Sequence, residues 1–126
     1  MVKLNELTYV TQAENVIKNL EKDRYGNIYL TTSKIRNLLG MISEIYNEAA
    51  HETGAELSID LQSRIQYLKL RFVYEAGRKR AVKDFVEKAG ILQYIDHIGK
   101  SRDGFLLFCK YMEALVAYHK YYGGRD

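Results

Sequence analysis

Not one of the 126 residues is proline. Proline is the residue that interrupts a helix, because it lacks an N–H and clashes with the preceding turn. Without it, helical stretches end only where glycine, a capping residue or the loss of apolar periodicity ends them. That periodicity runs along most of the chain. A first helix is expected from Thr11, where Thr11 and Glu14 fit a capping box and Val16, Ile17 and Leu20 give an apolar face, to a turn at Tyr25-Gly26-Asn27. After a short extended piece, Thr32 or Ser33 is expected to cap a second helix built on Ile35, Leu38, Leu39, Ile42, Ile45, Tyr46 and Ala49, closed by Thr53-Gly54. Ser58 opens a third that runs to Arg78. Val82, Phe85, Val86 and Ala89 mark a fourth, with Gly90 at its end or kink and a short helix over 91–98 beyond it. After Gly99 and Ser101, the last helix spans Asp103 to Tyr122, with Phe105, Phe108, Cys109, Met112, Leu115, Val116 and His119 on one face. The reading is all-α: a compact bundle of five to six helices in a single domain over residues 1–126.

The third helix carries the strongest signal. From Arg64 to Lys83 there are seven basic residues and one acid, Glu75, while the whole chain has a net charge of only +3. Arg64, Arg71 and Arg78 recur every seven residues, an interval that falls roughly 20° short of two helical turns, so they form one shallow stripe about 21 Å long. Tyr67 and Tyr74 repeat beside it. Leu61, Ile65, Leu68, Phe72 and Ala76 form a separate apolar line that faces a core. A helix with one buried face and one row of guanidinium groups can follow a phosphate backbone; the plainer reading is a solvated charged face. Lys34 and Arg36 stand in the first turn of the second helix, where cations oppose the helix dipole. That placement either serves a purpose or is offset by acids elsewhere in the fold. The tyrosine-rich end, with Tyr111, Tyr118, Tyr121 and Tyr122, has the residue type that stacks on bases, but core and subunit contacts account for most of it.

Catalytic chemistry is not expected. His51-Glu52 lacks the second histidine of a zinc-protease helix. His119 and Cys109 fall on the apolar face of the last helix and read as core residues. The aspartates are scattered rather than paired, as two-metal phosphodiester hydrolysis requires. No phosphate-cradling glycine loop is present, and Gly40, Gly77 and Gly90 read as close-packing or helix-end positions. No metal or cofactor is expected. The single cysteine excludes an internal disulfide. No apolar run approaches the ~20 residues that cross a bilayer, so no membrane partner is expected. The N-terminal MVKLNELTYVTQAEN has no secretory signature, and the cytoplasm is the expected compartment.

Four blocks of sequence carry a family resemblance: LTTSKIRNLL at 30–39, LKLRFVYEAGR at 68–78, VKDFVEKAGIL at 82–92 and FCKYMEALVAYHKYYGGRD at 108–126. With these, the chain resembles the small subunit of the type III-A CRISPR–Cas effector, the Csm complex; the first 27 residues contribute little. The resemblance implies a helical protein without enzymatic activity. Several copies would line the effector filament, facing the duplex of guide crRNA and target RNA and touching backbone subunits, the large signature subunit and one another. RNA cleavage would belong to the backbone subunit. On this footing Lys34, Arg36, Arg64, Arg71 and Arg78 are RNA-contact candidates, with Lys69, Arg80 and Lys83 as second choices. The alternative is a helical adaptor that binds protein only, its arginine stripe meeting an acidic partner.

Overall fold

The computed structural model describes residues 3–126. Six helices follow one another among these residues: α1 (Tyr9–Lys18), α2 (Thr32–His51), α3 (Ile59–Arg78), α4 (Arg80–Ala89), α5 (Ile91–Ile98) and α6 (Arg102–Tyr121). The all-α expectation holds; extended pairing is confined to two isolated bridges, Lys22 with Ile28 and Glu56 with Ser101. Helix α6 forms the axis of the bundle. It packs against α1, α2 and α5, while α3 packs against α2, α4 and α5. Phe105, Phe108, Tyr111, Met112, Leu115 and His119 on α6 are all completely buried. Tyr111 satisfies its hydroxyl by donating to the carbonyl of Ala89, 2.8 Å away. No helix among the described residues is long and apolar enough to cross a membrane.

Several boundaries fall where local chemistry predicts them. Ser58 caps α3 by accepting from the Leu61 N–H, and Ser101 caps α6 by accepting from the Gly104 N–H. Gly90 divides α4 from α5 with φ at +67°, in the left-handed region that favours glycine. At the other end of α2, Arg102 reaches across from α6 and donates to the carbonyls of Ala49 (2.8 Å), which also accepts from the Glu52 N–H, and Ala50 (3.1 Å), supplementing the sparse hydrogen bonding of a helix C-terminus.

Helix α1 corrects the expectation. It begins at Tyr9, so Thr11 lies inside it, and its N-cap residue Thr8 makes no side-chain cap bond. The Asn5 carbonyl accepts from Thr8 and Tyr9 instead, and its side chain accepts from the Leu7 N–H. The helix stops at Lys18, well before Gly26. Asp84 of α4 takes the Glu21 N–H at 2.9 Å and turns the chain, and Leu20, Ile28 and Leu30 enter the core from the irregular segment that follows. Gly40 is also corrected. A Cβ there would meet no atom within 4 Å, so it is not a close-packing position; the same open space surrounds Gly77, next to the end of α3.

The cap of α2 is Thr31, not Thr32 or Ser33, because the chain end occupies Ser33. Residues 123–126 fold back as a strap over the start of α2. Gly124 donates to the His119 carbonyl (2.8 Å) and Thr32 donates to the Arg125 carbonyl (3.3 Å). The Asp126 carboxylate accepts from the Ser33 N–H (2.9 Å) and hydroxyl (2.7 Å). Beneath the strap, His119 Nε2 lies 2.7 Å from the Leu30 carbonyl, which assigns the donating proton to that nitrogen. A Cβ at Gly124 would stand 2.1 Å from the His119 ring. Gly124→Ala must therefore lift the strap or displace a buried ring, and should cost about 1–3 kcal/mol while speeding amide exchange at Thr32 and Ser33; unchanged exchange at those amides would count against the strap. Asp126 adds a pH dependence. Its carboxyl is held below its ordinary 3.8, first by the Ser33 hydroxyl and then by the Ser33 N–H. A depressed folded pKa stabilises above the unfolded value and is lost as pH falls through the folded one. The Ser33 amide signal should thus report strap release with a midpoint below 3.8, and a midpoint at or above it would contradict this geometry.

Candidate nucleic-acid interface

Helices α2 and α3 run side by side, and their outer edges enclose a groove of about 460 Å³ lined by Lys34, Asn37, Met41, Arg71, Glu75 and Arg78. Met41 and Arg71 also line a shallower extension of about 160 Å³ that reaches Arg64 and Tyr67. The groove exists because the apolar line of α3 lies on the core. Leu61, Ile65, Leu68 and Phe72 are buried, and Arg71, about 80° around the helix from Leu61, emerges at the edge beside α2. The heptad spacing of Arg64, Arg71 and Arg78 places all three along that edge.

Their electrostatic situations differ. Arg64 is engaged at the lower end by three acids: it bonds the Glu48 carboxylate and lies 3.8 Å from Glu44 and 3.7 Å from Asp60. The Glu48 hydrogen bond, more than any other contact, holds its guanidinium above the ordinary arginine value. At the upper end Glu75, which is largely buried, is shared by Arg78 at 3.3 Å and Lys34 at 3.7 Å. The Arg78 guanidinium also stands 5.7 Å from the centre of the Tyr74 ring. Arg71 lies between these clusters, exposed, with no ion pair among the described residues.

The remaining candidates do not all join the groove. Arg36 is exposed on the outward side of α2, close enough to Asp126 to help depress its carboxyl. Both cations at the start of α2 therefore have tertiary acids nearby. Lys69 faces α5, with its ammonium 2.7 Å from Asp96. Arg80 pairs with Glu21 at 3.0 Å. Lys83 is exposed on α4 and makes no ion pair among the described residues. Thus Lys34, Arg71 and Arg78 gather around Glu75, Arg64 lies at the far end, and Lys69, Arg80 and Lys83 lie elsewhere. Asn37 and Met41 were not anticipated. Asn37, three residues beyond Lys34, was the legible signal, since that spacing puts both on one edge of α2.

Cys109 is buried, and loss of hydration pushes its thiol up to about 12. Among the described residues no three His, Cys, Asp or Glu side chains lie close enough to hold a metal ion. Of the terminal tyrosines, Tyr111 is core, Tyr122 bonds Glu14, and Tyr118, Tyr121 and Tyr122 pack on one another.

Comparison with known proteins finds relatives of similar sequence over most or all of the chain. A family model described as Csm2 Type III-A matches residues 3–125. The CRISPR system Cms protein Csm2 of Streptococcus thermophilus is 48% identical over 126 residues, covering 100% of both chains. The protein of the same name from Mycobacterium tuberculosis (strain ATCC 25618 / H37Rv) is 47% identical over 118 residues, 94% of each chain. That of Enterococcus italicus is 44% identical over 95 residues, 74% of this chain and 68% of the relative. The chain belongs to the Csm2 family, the small subunit of type III-A CRISPR systems.

Proposed function

We propose that this subunit is non-catalytic and contacts the guide crRNA–target RNA duplex through the α2–α3 groove, as one of several copies lining the effector beside backbone subunits and the large signature subunit. The observation that carries this reading is Arg71: an exposed guanidinium with no acid partner among the described residues, between two clusters where the acids are already engaged. A phosphate entering there displaces only water and counterions, and release of those counterions favours binding. Lys34 and Arg78 add to the attraction, since Glu75 neutralises only one of the two. Tyr67, exposed beside Arg71, supplies a flat face next to the cation. Arg64 has a supporting role, because its charge is spent on three carboxylates. The modest charge of the chain suits a protein that shares a long duplex among copies, each making few phosphate contacts.

Arg71 and Asn37 separate binding from folding. Arg71→Ala removes no internal partner, so the melting temperature should stay within error. RNA binding should weaken similarly across sequences, and the slope of log affinity against log salt should flatten by about one. Asn37→Glu improves helix propensity, so it should hold or raise stability while weakening RNA binding. Arg64→Ala should instead lower stability, by leaving three acids clustered. An unchanged salt slope in Arg71→Ala would remove the groove from consideration and leave the protein-only adaptor.

Absence of catalysis is tested separately. With magnesium or manganese, the purified subunit should release no cleaved RNA or DNA. Turnover that survives stringent purification and vanishes on mutation of a single aspartate would overturn the non-catalytic reading.

A further inference from the structure

The α2–α3 groove holds an acid where a surface for phosphate alone would gain by having none. Glu75 lines it, with only 13% of its side chain exposed. Its two cations hold it loosely. Arg78 Nη1 lies 3.4 and 3.3 Å from the carboxylate oxygens and Lys34 Nζ 3.7 Å from one of them, all longer than the usual hydrogen-bond range. A carboxylate has about four lone-pair sites, so Glu75 keeps acceptor capacity in the groove. Asn37, across the groove on α2, is exposed, and its side chain makes no hydrogen bond among the described residues. Gly40, one turn further along α2, lines the same wall, and a Cβ there would meet no atom within 4 Å. Glycine inside a helix is destabilising relative to alanine, and this one fills no close contact; its effect is to keep that wall of the groove low.

We propose that the groove reads the sugar as well as the phosphate of the strand it holds: Glu75 accepts a hydrogen bond from a ribose 2′-hydroxyl, which selects RNA over DNA. This rests on the assignment of the groove to RNA. The chemistry of the acid decides which group it meets. A phosphodiester oxygen only accepts, as a carboxylate does, so Glu75 repels the phosphate and needs a donor. The 2′-hydroxyl is the donor that every RNA nucleotide carries and DNA lacks. Arg71 lies four residues before Glu75, about 6 Å along α3, so a strand whose phosphate sits on Arg71 brings a sugar to the carboxylate. The hydroxyl also accepts, and the Asn37 amide offers it N–H donors from the facing wall. The low wall at Gly40 leaves room for the sugar edge, which in an A-form duplex borders a wide, shallow minor groove. The other donor on that surface, the guanine amino group, is present only at G·C pairs and would favour one sequence over another.

The test measures binding of the full chain to three duplexes of one length and sequence, free of G·C pairs: RNA, RNA with 2′-fluorine in place of every 2′-hydroxyl, and DNA. Fluorine keeps the A-form shape but removes the donor. The unmodified chain should bind RNA at least about fivefold more tightly than the fluorinated duplex, and DNA more weakly than RNA. Equal binding of RNA and either of the others would overturn the proposal. Glu75→Gln keeps the size of the side chain but leaves a weaker, neutral acceptor. It should bind both A-form duplexes more tightly, because an acid is gone, while the preference for the hydroxyl falls to about twofold or less. A purely structural Glu75 predicts tighter binding of both with the preference intact, and that result would overturn the proposal. The salt slope of Arg71→Ala separates the two ways of failing. A flattened slope without a hydroxyl preference removes the sugar contact and leaves the groove; an unchanged slope, or no binding to any duplex, removes both.

Discussion

Burying one broad face of a 20-residue helix, α6, is the constraint from which the rest of this structure is arranged. Helix α6 offers the core its phenyl rings and Met112, but it also brings a tyrosine hydroxyl, a histidine and the unsatisfied groups at its ends. Each needs a partner, since a buried polar group without one costs about 1–3 kcal/mol. Among the described residues His119 Nδ1 finds none; the partners of the others come from the neighbours and thereby place them. Ala89 receives Tyr111 and brings the end of α4 onto α6. Leu30 receives His119 and fixes the segment entering α2. Arg102, in the first turn of α6, holds the last carbonyls of α2. Helix α2 is thus tied to α6 at both ends, and the line it takes across the bundle sets where its edge meets α3. The groove is a by-product of satisfying the core.

What was legible in the sequence follows from how far each signal reaches. Ser58, Gly90 and Ser101 act on residues within three or four positions of themselves, so their boundaries stood in the sequence before any coordinate was known. The apolar line of α3 is likewise local, because helical spacing alone places Leu61, Ile65, Leu68 and Phe72 together. The N-terminus of α2 was less clear. Thr31, Thr32 and Ser33 are all good caps, and Ser33 is taken by Asp126, which lies 93 positions away in sequence. The end of α1 depends in the same way on Asp84, 63 positions from Glu21.

The basic residues show the same division at the site itself. Composition placed the positive charge and periodicity placed the stripe. Neither revealed which cations were already neutralised, since that depends on acids brought in from other helices: Glu48 on Arg64, Asp96 on Lys69, Glu21 on Arg80. A surface ion pair contributes little to stability, commonly under about 1 kcal/mol. Its effect on recognition is larger, because an incoming phosphate must compete with a carboxylate already in place. Counting arginines along α3 therefore overstates the available charge, and only the fold identifies Arg71 as the one of the three without an ion pair among the described residues.

Helix α3 is consequently divided lengthwise among three solvents. One face lies in the core, one edge meets α2 at a charged groove, and the outward ridge is aliphatic. A helix of 3.6 residues per turn accommodates this only if the pattern for each face is kept separately, with Leu61 and Phe72 on one, Arg64 and Arg71 on the next, and Leu70 and Val73 on a third. A solvated helix face normally carries charges where Leu70 and Val73 stand. Keeping aliphatic residues there gains nothing for the isolated fold and raises the tendency to self-associate.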